Sequence, residues 1–366
     1  MSLRIPFLEL DRMHQSLRIE LEAKFSDVLQ TGIFSGGNEV DDFAHAVGRL
    51  LGVGHAIPCS NGTDALEMAL KVVGVQPGDE VIVPALSWVS TAEAVVNMGA
   101  VPTFLDVDQN GLLDLNRLHE GISKRTKALV PVHLYGKMVD MQALTAVSRP
   151  LGLKVVEDAA QAFGSYQGGI PAGGWGDVGC YSFYPTKNLG ALGEGGMMVT
   201  GDASLANHLS LLLNHGQPEK DVHLISGRNA KMDSLQAAFL QVKLNHFESM
   251  QQRRKALARI YLDRLKVQPL IRLPEGMLNA DHNAHLFTIH CPKRNYLKAH
   301  LEDRGIGSAI HYPEILPNLP PFSDAGNYPM ASYISQSTLS LPLHPYLTEE
   351  EVHTVCDAVL DFFARG

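Results

Sequence analysis

The chain has 366 residues, 45% hydrophobic and 19% charged, enough apolar material for an ordinary globular protein of about two domains. Its formal net charge of -9 excludes nucleic acid or an anionic membrane as the main partner, because both require clustered lysine and arginine. No apolar run is long enough to span a bilayer, and Arg4, Pro6 and Glu9 interrupt the first ten residues; a cytoplasmic protein with no signal peptide is expected. Cys59, Cys180, Cys291 and Cys356 form no CxxC pair, so neither a metal site nor a disulfide scaffold is indicated.

In chain order, apolar residues at helical spacing predict a helix over 10–30, ending at Gly32, and a second over 39–51, ending at Gly52. A short strand at 55–58 delivers Ser60–Leu70, SNGTDALEMAL, where a small polar turn opens directly into a helix. Its first N–H groups, at Gly62 and Thr63, suit a phosphate; an ordinary N-cap by Asn61 or Thr63 is the alternative. Strands at 80–83, 101–105, 128–133 and 154–157 then alternate with helices at 90–98 and 141–149. Val- and Ile-rich strands separated by helices make an α/β protein with a largely parallel sheet, whose ligands bind beyond the carboxyl ends of the strands.

Several singular residues fall at those ends. Trp88 either stacks on a planar ring or fills core. Asp158 either pairs with a buried cation or caps the next helix. Lys187 stands between the aromatic run 181–184 and the glycine-studded turn 190–196, with a strand following at 197–200. In so apolar a neighbourhood an amine loses charge and can attack a carbonyl to form a Schiff base; an exposed loop lysine fits this stretch equally well. A helix at 203–213 follows, then one that Asp233 can cap, and a helical segment over 251–265 whose Arg253, Arg254 and Lys255 read as a solvated face. After Val267 the pattern becomes α+β: loop to 283, strand at 285–290, helix at 295–304, strand at 308–312, a proline-rich loop at 313–329, and a closing helix with a Thr348/Glu351 capping box.

Together SNGTDAL, Trp88, EDAAQAFGS and SFYPTKNLGALGEGG resemble the DegT/DnrJ/StrS family of pyridoxal phosphate-dependent sugar aminotransferases, over nearly the whole chain. The resemblance implies a type I aminotransferase fold, with a large domain (1–248) built on a mostly parallel seven-stranded-type sheet and a small C-terminal domain (249–366). It also implies a homodimer with shared active sites. Carried over by motif, Lys187 holds the cofactor and acts as general acid and base, and Asp158 contacts the pyridine nitrogen and keeps it protonated. Trp88 stacks on the ring, Gln161 lies near its phenolic oxygen, Gly62, Thr63 and Ser182 hold the phosphate, and Asn229 reaches the phosphate of the neighbouring subunit.

The implied reaction moves an amino group from an amino acid, usually L-glutamate, through pyridoxamine phosphate to a nucleotide-linked 3- or 4-ketosugar, for surface-polysaccharide or antibiotic sugars. PVHLYG (131–136) leans toward the third carbon. Relatives with His in place of this lysine are dehydratases, so Lys187 favours transamination. Lys231 stands where the family commonly has Arg, and Pro317 where many relatives have His, which leaves the substrate open. Of His215, His285 and His311, only His311 is placed as a substrate contact. A keto-cyclitol aminotransferase, a dehydratase, and a regulatory protein that binds the cofactor without turnover are the competing readings.

Overall fold

The computed structural model describes residues 4–364; the first three residues of the segment read for a signal peptide lie outside them. Seven strands form the central sheet: β1 (His55–Cys59), β2 (Glu80–Pro84), β3 (Val101–Leu105), β4 (Thr126–Leu129), β5 (Lys154–Asp158), β6 (Val178–Ser182) and β7 (Gly196–Thr200), in the order β1-β7-β6-β5-β4-β2-β3. All run one way except β7, which pairs antiparallel with both β1 and β6. Val81, Ile82, Val83, Ala128, Leu129 and Val156 are wholly buried, because helices cover both faces of a parallel sheet. Each such side chain taken from water contributes about 1.5–3 kcal/mol for the larger aliphatics.

The helices are α1 (Leu10–Ser16), α2 (Arg18–Thr31), α3 (Asn38–Leu51), α4 (Gly62–Val72), α5 (Ser90–Asn97), α6 (Met141–Ser148), α7 (Ala203–Leu212), α8 (Ser234–Asn245), α9 (Phe247–Leu265), α10 (Arg294–Glu302), α11 (Pro329–Ser337) and α12 (Glu349–Ala364). One apolar cluster joins the sheet to α3, α4 and α5 and also takes in Leu316, Ala331 and Ile334. A second joins α9, α10 and α12 to the antiparallel pair β8 (Phe287–His290) and β9 (Thr338–Leu341), and includes Ile5. The closing helix opens on the expected reciprocal pair, Glu351 N–H to Thr348 Oγ1 at 3.1 Å and Thr348 N–H to Glu351 Oε2 at 2.8 Å.

Four expectations need correction. The first helix is two, broken at Leu17, which has non-helical backbone angles. Residues 308–312 form no strand; they hold a single bridge, Ala309 to Ser340, on the edge of β9 opposite β8. The proline-rich loop is followed by α11, with Pro329 in the first turn, where a missing N–H costs nothing. Asp233 occupies the N-cap position of α8 but its side chain makes no capping bond. Among the described residues no helix is long and apolar enough to cross a membrane.

Candidate active site

The carboxyl ends of β1, β2, β5 and β6 converge on one cavity of about 860 Å³. Gly62, Thr63, Trp88, Asp158, Gln161, Ser182, Lys187 and His311 all line it. Asn229 does not: it is exposed, and its backbone bridges to Asn214.

Helix α4 begins where β1 ends. Asn61 is its cap, accepting the Asp64 N–H at 2.9 Å, and Arg228 holds the first turn from outside through Asp64 at 2.8 Å and through Glu67. The first-turn N–H groups at Gly62 and Thr63 have no partner within the helix, and both residues line the cavity. A Cβ on Gly62 would lie 2.8 Å from the Cβ of Ser182, so only glycine lets α4 approach the end of β6 this closely. The same approach brings the Ser182 hydroxyl, which accepts the Tyr184 N–H at 3.2 Å, beside those N–H groups.

Asp158 is the last residue of β5 and is 6% exposed. Thr91 Oγ1 donates to its Oδ2 at 2.8 Å, and the Ala160 N–H donates to Oδ1 at 3.2 Å. Both oxygens are thereby fixed at the cavity wall. Gln161, three residues on, accepts the Tyr135 N–H at 2.8 Å and donates to the Tyr312 hydroxyl at 3.1 Å. The Tyr312 ring lies 5.7 Å from that of Trp88, which at 56% exposure is no core filler in this chain.

Lys187 lies on the loop between β6 and β7, its N–H bonded to Tyr184 O at 2.8 Å. It keeps some exposure toward the cavity, yet burial lowers its pKa to about 8 against an opposing pull from Asp158. At pH 7 about a tenth of such amines are neutral and nucleophilic.

Tyr312, His285 and Arg254 are among the lining residues that the sequence reading did not assign to the site. Tyr312 follows His311. His285, not placed as a contact from the sequence, is buried, bonds through Nδ1 to Asn188 Oδ1 at 2.9 Å, and has its pKa lowered well below the usual value by burial and then by Lys187 and Arg254. Arg254, read as part of a solvated basic face, is 5% exposed and lines the cavity, with Nη1 donating to Leu343 O at 2.9 Å. Its position in the stripe Met250, Leu257, Ala258, Tyr261 of α9 is the signal that places it inward. His311 bonds Ser340 Oγ at 2.9 Å, and burial, reinforced by Lys187, lowers its pKa to about 4, so it is neutral at pH 7.

An amine of lowered pKa, a fixed carboxylate and a glycine-opened helix N-terminus on one cavity fit pyridoxal phosphate, which needs a covalent anchor, a partner for its ring nitrogen and a phosphate cradle. With the mostly parallel sheet, they define a pyridoxal phosphate-dependent aminotransferase of type I fold. The chain belongs to the DegT/DnrJ/EryC1/StrS aminotransferase family, whose pattern matches residues 15–360. It is 40% identical over 353 residues to the erythromycin biosynthesis sensory transduction protein EryC1 of Saccharopolyspora erythraea, covering 94% of this chain and 96% of that one. It is 39% identical over 367 residues to the dTDP-3-amino-3,4,6-trideoxy-alpha-D-glucose transaminase of Streptomyces venezuelae, covering 99% and 97%. Among solved structures, S. venezuelae DesV in complex with a ketimine intermediate superposes with a TM-score of 0.95 at 39% identity, covering 99% of both chains.

Proposed function

We propose that this enzyme transfers an amino group from an amino acid, L-glutamate in this reading, to the keto carbon of a nucleotide-linked sugar, with the third carbon favoured over the fourth. The observation that carries the reading is the placement on one cavity of Asp158, at the end of β5, and Lys187, on the loop that follows the neighbouring strand β6. Similarity along the whole chain to a dTDP-3-amino sugar transaminase supports the substrate class.

Bound pyridoxal phosphate supplies an electron sink for the pair left when a C–H bond beside the transferred nitrogen breaks. Lys187 would be its attachment point and, once displaced, the base that takes the proton from the donor's α-carbon and delivers it to the cofactor's C4′. Asp158, fixed by Thr91 and Ala160, keeps the ring nitrogen protonated. The Gly62 and Thr63 N–H groups and the Ser182 hydroxyl hold the phosphate, Trp88 covers the ring, and Gln161 faces its phenolic oxygen. His311, neutral, offers Nε2 to the sugar substrate. We place the enzyme in the cytoplasm as a homodimer with Asn229 completing the partner's phosphate site, and residues 1–248 and 249–366 as its large and small domains.

The test is the absorption spectrum of the purified holoenzyme before and after L-glutamate, with Lys187→Ala alongside. A shift to the pyridoxamine form in the wild type alone, followed by its reversal with a nucleotide ketosugar, supports the reading. Bound cofactor that responds to no amino acid overturns it in favour of a regulator without turnover.

A further inference from the structure

Arg254 is a buried cation without an anion. Its side chain reaches the wall of the Lys187 cavity, one N–H of Nη1 bonds to a backbone carbonyl, and no carboxylate among the described residues pairs with it. Burial lowers its pKa only to about 10, so it stays charged at neutral pH. A guanidinium taken out of water is costly unless an anion meets it.

The neighbouring groups do not provide that anion. Asp64 is paired with Arg228, Asp158 is held by Thr91 and Ala160, and Glu194 is exposed. His285, close enough to feel both Lys187 and Arg254, is pushed toward its neutral form by burial and then by these two cations. The remaining N–H donors of a planar fork match a carboxylate. Leu341 and Leu343 line the same cavity, an apolar surface suited to methylene groups.

We infer that Arg254 receives a carboxylate of the amino-acid donor, and that the 2-oxo acid product leaves from the same subsite. The inference rests on the aminotransferase reading above. Any α-amino acid carries a carboxylate one bond from the carbon whose proton Lys187 removes, so a cation within the lysine's cavity is what such a donor needs. A single dry guanidinium is a poorer match to a nucleotide diphosphate, whose greater charge calls for several cations.

The holoenzyme, with Arg254→Gln and Arg254→Lys, is titrated with L-glutamate by absorption, and with glutarate, glutaramide, dTDP and UDP by calorimetry. Expected is a rise in half-saturating glutamate and in the glutarate Kd on the order of 10- to 100-fold in Arg254→Gln, smaller in Arg254→Lys, with dTDP and UDP binding retained. Unchanged glutamate and glutarate binding in a folded Arg254→Gln overturns the inference, as does weakening of the nucleotides alone. Should Arg254→Gln lose the cofactor, Arg254→Lys and the wild type decide: glutarate must bind the wild type and the neutral diamide must not, and equal binding of the two overturns the subsite. A wild type deaf to every amino acid is a failure of the aminotransferase reading instead; glutarate binding and its loss in the variants then still judge the subsite.

Discussion

Thr91 Oγ1 donates a 2.8 Å hydrogen bond to Asp158 Oδ2 and stands 2.8 Å from Ser87 Oγ, so the segment following β2 fixes the carboxylate at the end of β5. All three residues are buried, where an unmade hydrogen bond costs most. Thr91→Val keeps the shape and removes the donor. Its expected effect is a loss of about 1–2 kcal/mol of stability together with roughly a tenfold fall in kcat if Asp158 meets the ring nitrogen as proposed, because the carboxylate is then less well fixed in place; Thr91→Ser restores most of both. Thermal unfolding and steady-state kinetics measure the two, and an unchanged kcat would mean that the Ala160 N–H alone suffices.

The lowered pKa of Lys187 has a signed consequence in the cofactor-free protein. Its folded value is about 8 against an ordinary 10.5, so the unfolded chain binds more protons between those values and stability rises with pH across that window. The cost of burying the amine is full below about pH 8 and gone above about 10.5. Lys187→Met therefore stabilises the cofactor-free protein at pH 7 by up to about 3 kcal/mol, and the advantage shrinks as pH climbs from 8 to 10.5. Denaturant melts at pH 7, 9 and 10.5 test this; an advantage independent of pH would assign it to packing.

The sheet was legible because strands buried on both faces are runs of Val and Ile, as at 81–83 and 155–156, and because strand ends carried unusual residues such as Asp158. Arg254 was not legible from composition: Arg253, Arg254 and Lys255 are adjacent in sequence, but at 3.6 residues per turn they point three ways. Arg253 meets Glu349 at 2.8 Å and Lys255 meets Asn279 O at 2.8 Å, while Arg254 turns inward. Helical spacing from Met250 and Leu257 carried that information; the charge run hid it. Thr91 was passed over because a threonine in a first helical turn has an ordinary local explanation, and its bond to a residue 67 positions away exists only in the tertiary fold.

Gly62→Ala tests the phosphate cradle without touching a charge. The added Cβ would sit 2.8 Å from Ser182 Cβ, both held in regular elements, so the start of α4 must move away from the end of β6. A displacement of a few tenths of an ångström at several phosphate donors is expected to weaken cofactor binding by on the order of tenfold, at little cost to the apolar core. Equilibrium dialysis of pyridoxal phosphate against both proteins reads this directly, and equal affinity would remove Gly62 and Ser182 from the cradle.

Asn229 is the one expected site residue that the cavity of its own chain excludes, and this exclusion makes its role testable. If it completes the partner's site, Lys187→Ala and Asn229→Ala are each inactive alone but complement when mixed. Random reassortment makes half the dimers mixed, and each of those carries one site with both native residues, so about a quarter of wild-type activity returns. A residue acting within its own chain gives no recovery, because every site then retains one defect. Activity after unfolding and co-refolding the two variants, with each refolded alone as control, separates these outcomes.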